Sequence, residues 1–118
     1  MAYLLLIHEP VGQRRTRNDA EGRAVYDRML RFGDELRERG LLIAAESLKS
    51  DNDATRVQAR AGRPTLIDGP FAEAKEMIGG FFLIACDTKA QALEIARQCP
   101  AAEWASVEVR AVAPCYEI

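Results

Sequence analysis

This chain is short of the residue types that make reactive centres on their own. It carries one histidine, His8, and three cysteines, Cys86, Cys99 and Cys115, none of them in CxxC spacing. A zinc set would need ligands gathered from distant positions, so no metal centre is expected. The odd, scattered cysteines exclude a disulfide framework, and Cys86 and Cys99 fall among apolar residues, where thiols pack as small hydrophobes. No nucleophile elbow, Walker loop or dinucleotide fingerprint occurs, so the expectation is chemistry without a cofactor: acid–base work or binding. Neither sign of charge is in excess. Sixteen Lys and Arg against 18 Asp and Glu leave a net charge of −2, which gives no footprint for direct nucleic-acid contact. Arg14, Arg15 and Arg17 cluster, but acidic residues follow, so the group reads as a solvated loop. Long apolar runs are also missing. None approaches the ~20 residues of a membrane span, and Tyr3–Ile7 lacks the basic flank of a signal peptide, so a cytoplasmic, reducing location is expected.

What is present is enough for one domain, residues 1–118, with its own core. Tyr3–Ile7 is apolar throughout and reads as a central strand covered on both faces or at a subunit contact, ending at His8-Glu9-Pro10. Asn18 with Glu21 has capping-box spacing. Val25, Met29, Phe32 and Leu36 then make one stripe of a helix that Gly40 stops. Leu41–Ala45 is a second apolar strand. Thr55–Arg60 and Thr65–Ile67 flank Ala61-Gly62-Arg63-Pro64 as a hairpin. Phe81–Cys86 is a strand, and Thr88 with Gln91 caps a second helix that turns Ala92, Leu93, Ala96 and Cys99 inward and stops at Pro100. Ser106–Ala111 alternates as a half-buried last strand. The expected class is α+β, a ferredoxin-like βαββαβ order with an extra β-hairpin. Strands apolar on both faces under helices on only one face predict a homodimer, sheet face to sheet face.

The charged side chains concentrate in Asp68–Cys86. Asp68-Gly69-Pro70 is a turn in which Gly is expected to supply positive φ, and Glu73, Lys75 and Glu76 follow before Gly79-Gly80, a pair that suits a bulge or a close strand approach. Asp68, just past a strand, is the leading candidate for a general base if burial raises its pKa; otherwise it ties up its own turn. His8, ending the first strand, is suited to proton transfer if Asp68 or Glu46 orients it. Arg56, Lys75, Glu76 and Glu46 are the candidate substrate-binding groups, Arg56 as a fork for a carboxylate or phosphate and Lys75 as a point charge. Tyr3, Phe81, Phe82 and Trp104 read as core or interface.

The run Asp68-Gly69-Pro70-Phe71-Ala72-Glu73 resembles the DGPF-domain proteins of the YCII-related family. Lys75-Glu76, Gly79-Gly80-Phe81-Phe82, Cys99-Pro100-Ala101-Ala102 and Val107-Glu108-Val109-Arg110 extend the resemblance, as do Gly40-Leu41-Leu42 and Ala54-Thr55-Arg56-Val57. It implies a ferredoxin-like fold, a dimeric α+β barrel, and a small bacterial cytosolic protein, either an enzyme or a module associated with an extracytoplasmic-function sigma factor. A His–Asp pair with its His in the first helix has been suggested as catalytic in one branch. Ala20–Arg39 holds no His here, so that pair does not transfer. Two readings follow: a small-molecule enzyme with acid–base residues in a cleft at the strand ends, or a non-catalytic dimeric ligand-binding or regulatory module.

Overall fold

In a computed structural model describing residues 1–118, the chain runs β1 (Ala2–Pro10), α1 (Asp19–Glu38), β2 (Leu42–Ser47), β3 (Thr55–Arg60), β4 (Arg63–Asp68), β5 (Glu76–Ala85), α2 (Lys89–Arg97) and β6 (Ser106–Ala111). Short 3-10 turns at Gln13–Thr16, Asp51–Asp53 and Pro100–Glu103 join them. Four strands form one antiparallel sheet in the order β2-β5-β1-β6, and β3-β4 stand apart as a two-stranded hairpin. This is the α+β class, arranged on the ferredoxin-like plan with the hairpin inserted before β5.

Local signals account for the elements. Asn18 and Glu21 close a reciprocal capping box on α1, and Gly40 takes φ 71° past its end. Thr88 accepts the Gln91 N–H at the start of α2. On α2 the buried residues are Ala92, Ile95 and Ala96, with Cys99 buried just past its end, whereas Leu93 is exposed. The expected inward Leu93 is therefore corrected to Ile95: steps of three and four keep one stripe, and Leu93 stands a third of a turn away from Ala92. The hairpin turns in two residues, Ala61 (φ 53°) and Gly62 (φ 76°), the double positive φ that matches strand twist.

β1 alternates strictly. Tyr3, Leu5, Ile7 and Glu9 are buried beneath the helices, while Leu4, Leu6 and His8 are only half-buried on the other face. Leu5, Ile84, Leu36 and Ile95 are the fully buried centre of the core, and Phe32 meets Phe82 edge-on at 5.1 Å. Burial pushes the Cys99 thiol up to about 11, consistent with a neutral packing group. No helix is long and apolar enough to cross a membrane.

Two departures from close packing matter for function. The radius of gyration is 16.0 Å, against about 13.5 Å expected for a chain of this length. The β3-β4 hairpin accounts for it, since every one of its residues is exposed. In α1, burial is confined to Phe32, Gly33 and Leu36; the first half of the helix has no buried residue although its apolar stripe is intact.

Candidate functional site

Between α1 and the sheet lies a half-open cavity of about 500 Å³, lined along the helix from Gly22 to Arg37. Val25, Met29 and Leu30 form its helical side, Phe82 and Ala45 its sheet side, and Trp104 one end. Glu9, Arg14 and Gly79 also line it.

Glu9 is placed there by strand parity. It continues the inward set Tyr3-Leu5-Ile7 and is 5% exposed. A buried carboxylate needs a partner, and Arg14 supplies it from the Gln13–Thr16 turn, donating from Nε to Glu9 Oε1 at 2.9 Å and from a second guanidinium nitrogen to the same oxygen. Oε2 takes neither bond. The guanidinium also donates to the carbonyls of Leu48, at 2.7 Å, and Gly79, at 3.4 Å. One arginine thus ties the end of β1 to the exit of β2 and to β5. Arg14 is therefore not part of a solvated loop, because partners distant in sequence remove its need for water.

The Gly79-Gly80 pair makes this arrangement possible. The β1-β5 register slips between Ile7 and His8, which leaves Gly79 as the bulged residue. A Cβ on Gly79 would overlap Glu9 Oε1 and lie 2.8 Å from its Cδ; one on Gly80 would lie 2.7 Å from the Glu46 carbonyl of β2. The pair serves bulge and close approach together.

Of the candidate residues read from sequence, only Glu46 lines this cavity; the others lie elsewhere. His8, Arg56 and Glu76 line a second recess, of about 550 Å³, with Asp51, Phe71 and Met77. His8 Nε2 is 2.7 Å from Glu108 Oε1, so its partner is Glu108 rather than Asp68 or Glu46. β6 runs beside β1, whereas Glu46 on β2 is separated from β1 by β5 and Asp68 lies on the separate hairpin. Arg56 pairs with Glu73 and lies 3.7 Å over the Phe71 ring; that contact and a backbone hydrogen bond hold the Glu73 carboxyl below its usual range, the backbone bond being the larger cause. Asp68 is exposed and accepts the Thr55 hydroxyl at 2.9 Å, which closes the base of the hairpin; it lines neither cavity. Lys75 is exposed, with its carbonyl accepting the Val11 N–H. Glu46 sits beside Phe81 on β2, at the edge of the first cavity. Gly69 does not take positive φ: it is required because a Cβ would overlap the Asp51 carbonyl oxygen. Nowhere do three His, Cys, Asp or Glu side chains gather as a metal set.

Sequence reasoning missed Glu9 and Arg14. A signal was available: Glu9 lies two residues beyond Ile7 and so shares its face, and a charge on an inward parity demands a partner.

An antiparallel sheet, helices on one of its faces and a cavity beside the longer helix with a buried carboxylate–guanidinium pair define a small α+β domain. The chain belongs to the YCII-related family, whose domain model matches residues 1–115. Over 60 residues it is 40% identical to "Uncharacterized protein R00369" of Rhizobium meliloti (strain 1021), a match covering 51% of this chain and 48% of that protein. The aligned part spans about half the length of that relative.

Proposed function

We propose that the protein binds a small, largely apolar molecule in the cavity beneath α1 and acts on it by proton transfer at Glu9. The observation that carries this reading is the buried Glu9–Arg14 pair lining a cavity of about 500 Å³, within the size range of small-molecule sites. Arg14 orients Glu9 through Oε1 alone, which leaves Oε2 without either bond and available to a substrate proton. The test is a thermal-shift screen of metabolites on the wild type and on Met29→Trp, which fills the cavity without altering charge. A ligand of this site raises the wild-type midpoint and leaves the variant unmoved. A shift undiminished in Met29→Trp places the ligand elsewhere and defeats the reading. For a ligand that is turned over, Glu9→Gln is expected to lower kcat by about 100-fold or more.

A second reading makes His8 the proton carrier, oriented by Glu108, with Arg56 and Glu76 holding a substrate in the other recess. The sharing of one recess by His8, Arg56 and Glu76 favours it. Under it turnover is lost in His8→Ala and survives Glu9→Gln. The Asp68–Phe71 run supports membership in the DGPF-bearing branch of the family.

The same proposal includes a homodimer formed through the helix-free sheet face as an α+β barrel. Leu4, Leu6, Phe81 and Leu83 lie together there, half-buried rather than covered, and support it. Light scattering is expected to give twice the 13.1 kDa chain mass for the wild type and the single mass for Leu6→Glu, because a carboxylate in the middle of that face would be buried without a partner. A monomeric wild type at tens of micromolar would defeat it.

A further inference from the structure

Arg17 is the odd charge at the cavity. Three arginines line it, and two are satisfied: Arg14 by Glu9 and Arg37 by Asp34. Arg17, half-buried, makes no side-chain hydrogen bond and enters none of the ion pairs. Its guanidinium carbon lies 5.8 Å from the centre of the Trp104 ring, and Arg28, which is neutralised by Glu103, approaches the same ring at 5.3 Å. Two cations therefore converge on one indole, with a carboxylate present for only one of them. The third acidic residue lining the cavity, Glu46, pairs in register with Phe81, which faces away from the helices. The Trp104 backbone is tied to the Gln13–Thr16 turn, where Gln13 donates to its carbonyl at 2.8 Å.

Resting on the reading of this cavity as a ligand site, we propose that its ligand is an organic carboxylate: an apolar or aromatic body against Val25, Met29 and Trp104, and an anionic group on Arg17. A guanidinium within cation–π reach of an indole and without a hydrogen-bond partner keeps its N–H edge free, and that edge matches a carboxylate with two parallel hydrogen bonds. Binding would supply the counter-charge that Arg17 lacks, and apolar contacts would supply most of the remaining affinity.

The protein's single tryptophan is Trp104, so its fluorescence reports on this cavity without labelling. Matched pairs of probes are titrated by fluorescence and calorimetry: phenylacetate with phenylacetamide, 3-phenylpropanoate with its amide, and octanoate with octanamide. Each carboxylate is expected to bind at least tenfold tighter than its amide. Arg17→Gln should close that gap to within twofold, Arg17→Lys should keep most of it, and added salt should narrow it. Equal binding of acid and amide, or a gap that survives Arg17→Gln, overturns the carboxylate assignment. If such binding is still lost in Met29→Trp, the cavity remains the ligand site and only the acid class falls. Absence of binding by both members of every pair overturns the two together.

Discussion

Gly79→Ala is expected to lower stability by about 3 kcal/mol, the upper range for overpacking a core, and the melting temperature by roughly 10 °C or more. The added methyl has nowhere to go. It would overlap Glu9 Oε1 and stand 2.8 Å from Glu9 Cδ and 3.1 Å from an Arg14 nitrogen. A carboxylate at the end of a flexible side chain can usually yield, but this one is buried, and Arg14 fixes it while also bonding Leu48 and Gly79. Moving Glu9 would break the pair and leave a charge without its partner, which adds to the steric cost. The double variant Gly79→Ala/Glu9→Ala isolates the cause. Removing the carboxylate removes the obstacle, so the double variant should be more stable than the sum of the two single losses by over about 1 kcal/mol. Urea unfolding measures all three. Strict additivity would show that Gly79 is not there for Glu9.

Much of the fold is legible in the chain because its signals are local. Asn18, Glu21 and Gly40 bound α1 through hydrogen bonds and backbone angles decided within a few residues. The period of Val25, Met29, Phe32 and Leu36 gives the helix, and the alternation of Ser106–Ala111 gives β6. The site is less legible because it depends on distances between elements. Val25 and Met29 satisfy the helical stripe equally whether α1 lies flat on the sheet or leaves a cavity beneath it. Arg14 stands among other arginines and has a solvated composition; its burial comes from Glu9, Leu48 and Gly79, which only the folded topology brings together. Charge density along the chain drew the reading to Asp68–Glu76, while the most deeply buried carboxylate, Glu9, sat at the end of the most apolar strand. Composition counts charges, and burial depends on parity and partners.

The turn Asp68-Gly69-Pro70 carries the second large effect. Gly69→Ala is expected to loosen the β3-β4 hairpin far more than it lowers the global melting temperature. A Cβ at Gly69 would overlap the Asp51 carbonyl oxygen and lie 3.2 Å from the Asp51 carbonyl carbon and 3.3 Å from the Ala54 carbonyl oxygen. All three are backbone atoms, so no rotamer relieves the contact, and the Gly69 N–H bond to Ala54, 2.7 Å long, must lengthen or break. That bond and the Thr55–Asp68 bond close the base of the hairpin, directly after the Asp51–Asp53 turn. The hairpin residues are all exposed and outside the four-stranded sheet, and a two-stranded hairpin holds itself together only marginally in water. Loss of its base should therefore open it as a unit while Leu5, Leu36, Ile84 and Ile95 remain packed. Hydrogen exchange should show protection of the Thr55–Asp68 amides falling by tenfold or more, with β1 and α1 amides changed far less. Arg56 would lose its fixed position over Phe71, so any ligand of the His8 recess should weaken in the same variant, while a ligand of the cavity beneath α1 should bind unchanged. A uniform loss of protection across the sheet would instead make the hairpin part of the cooperative core, and its exposure would then have to be covered by a second chain.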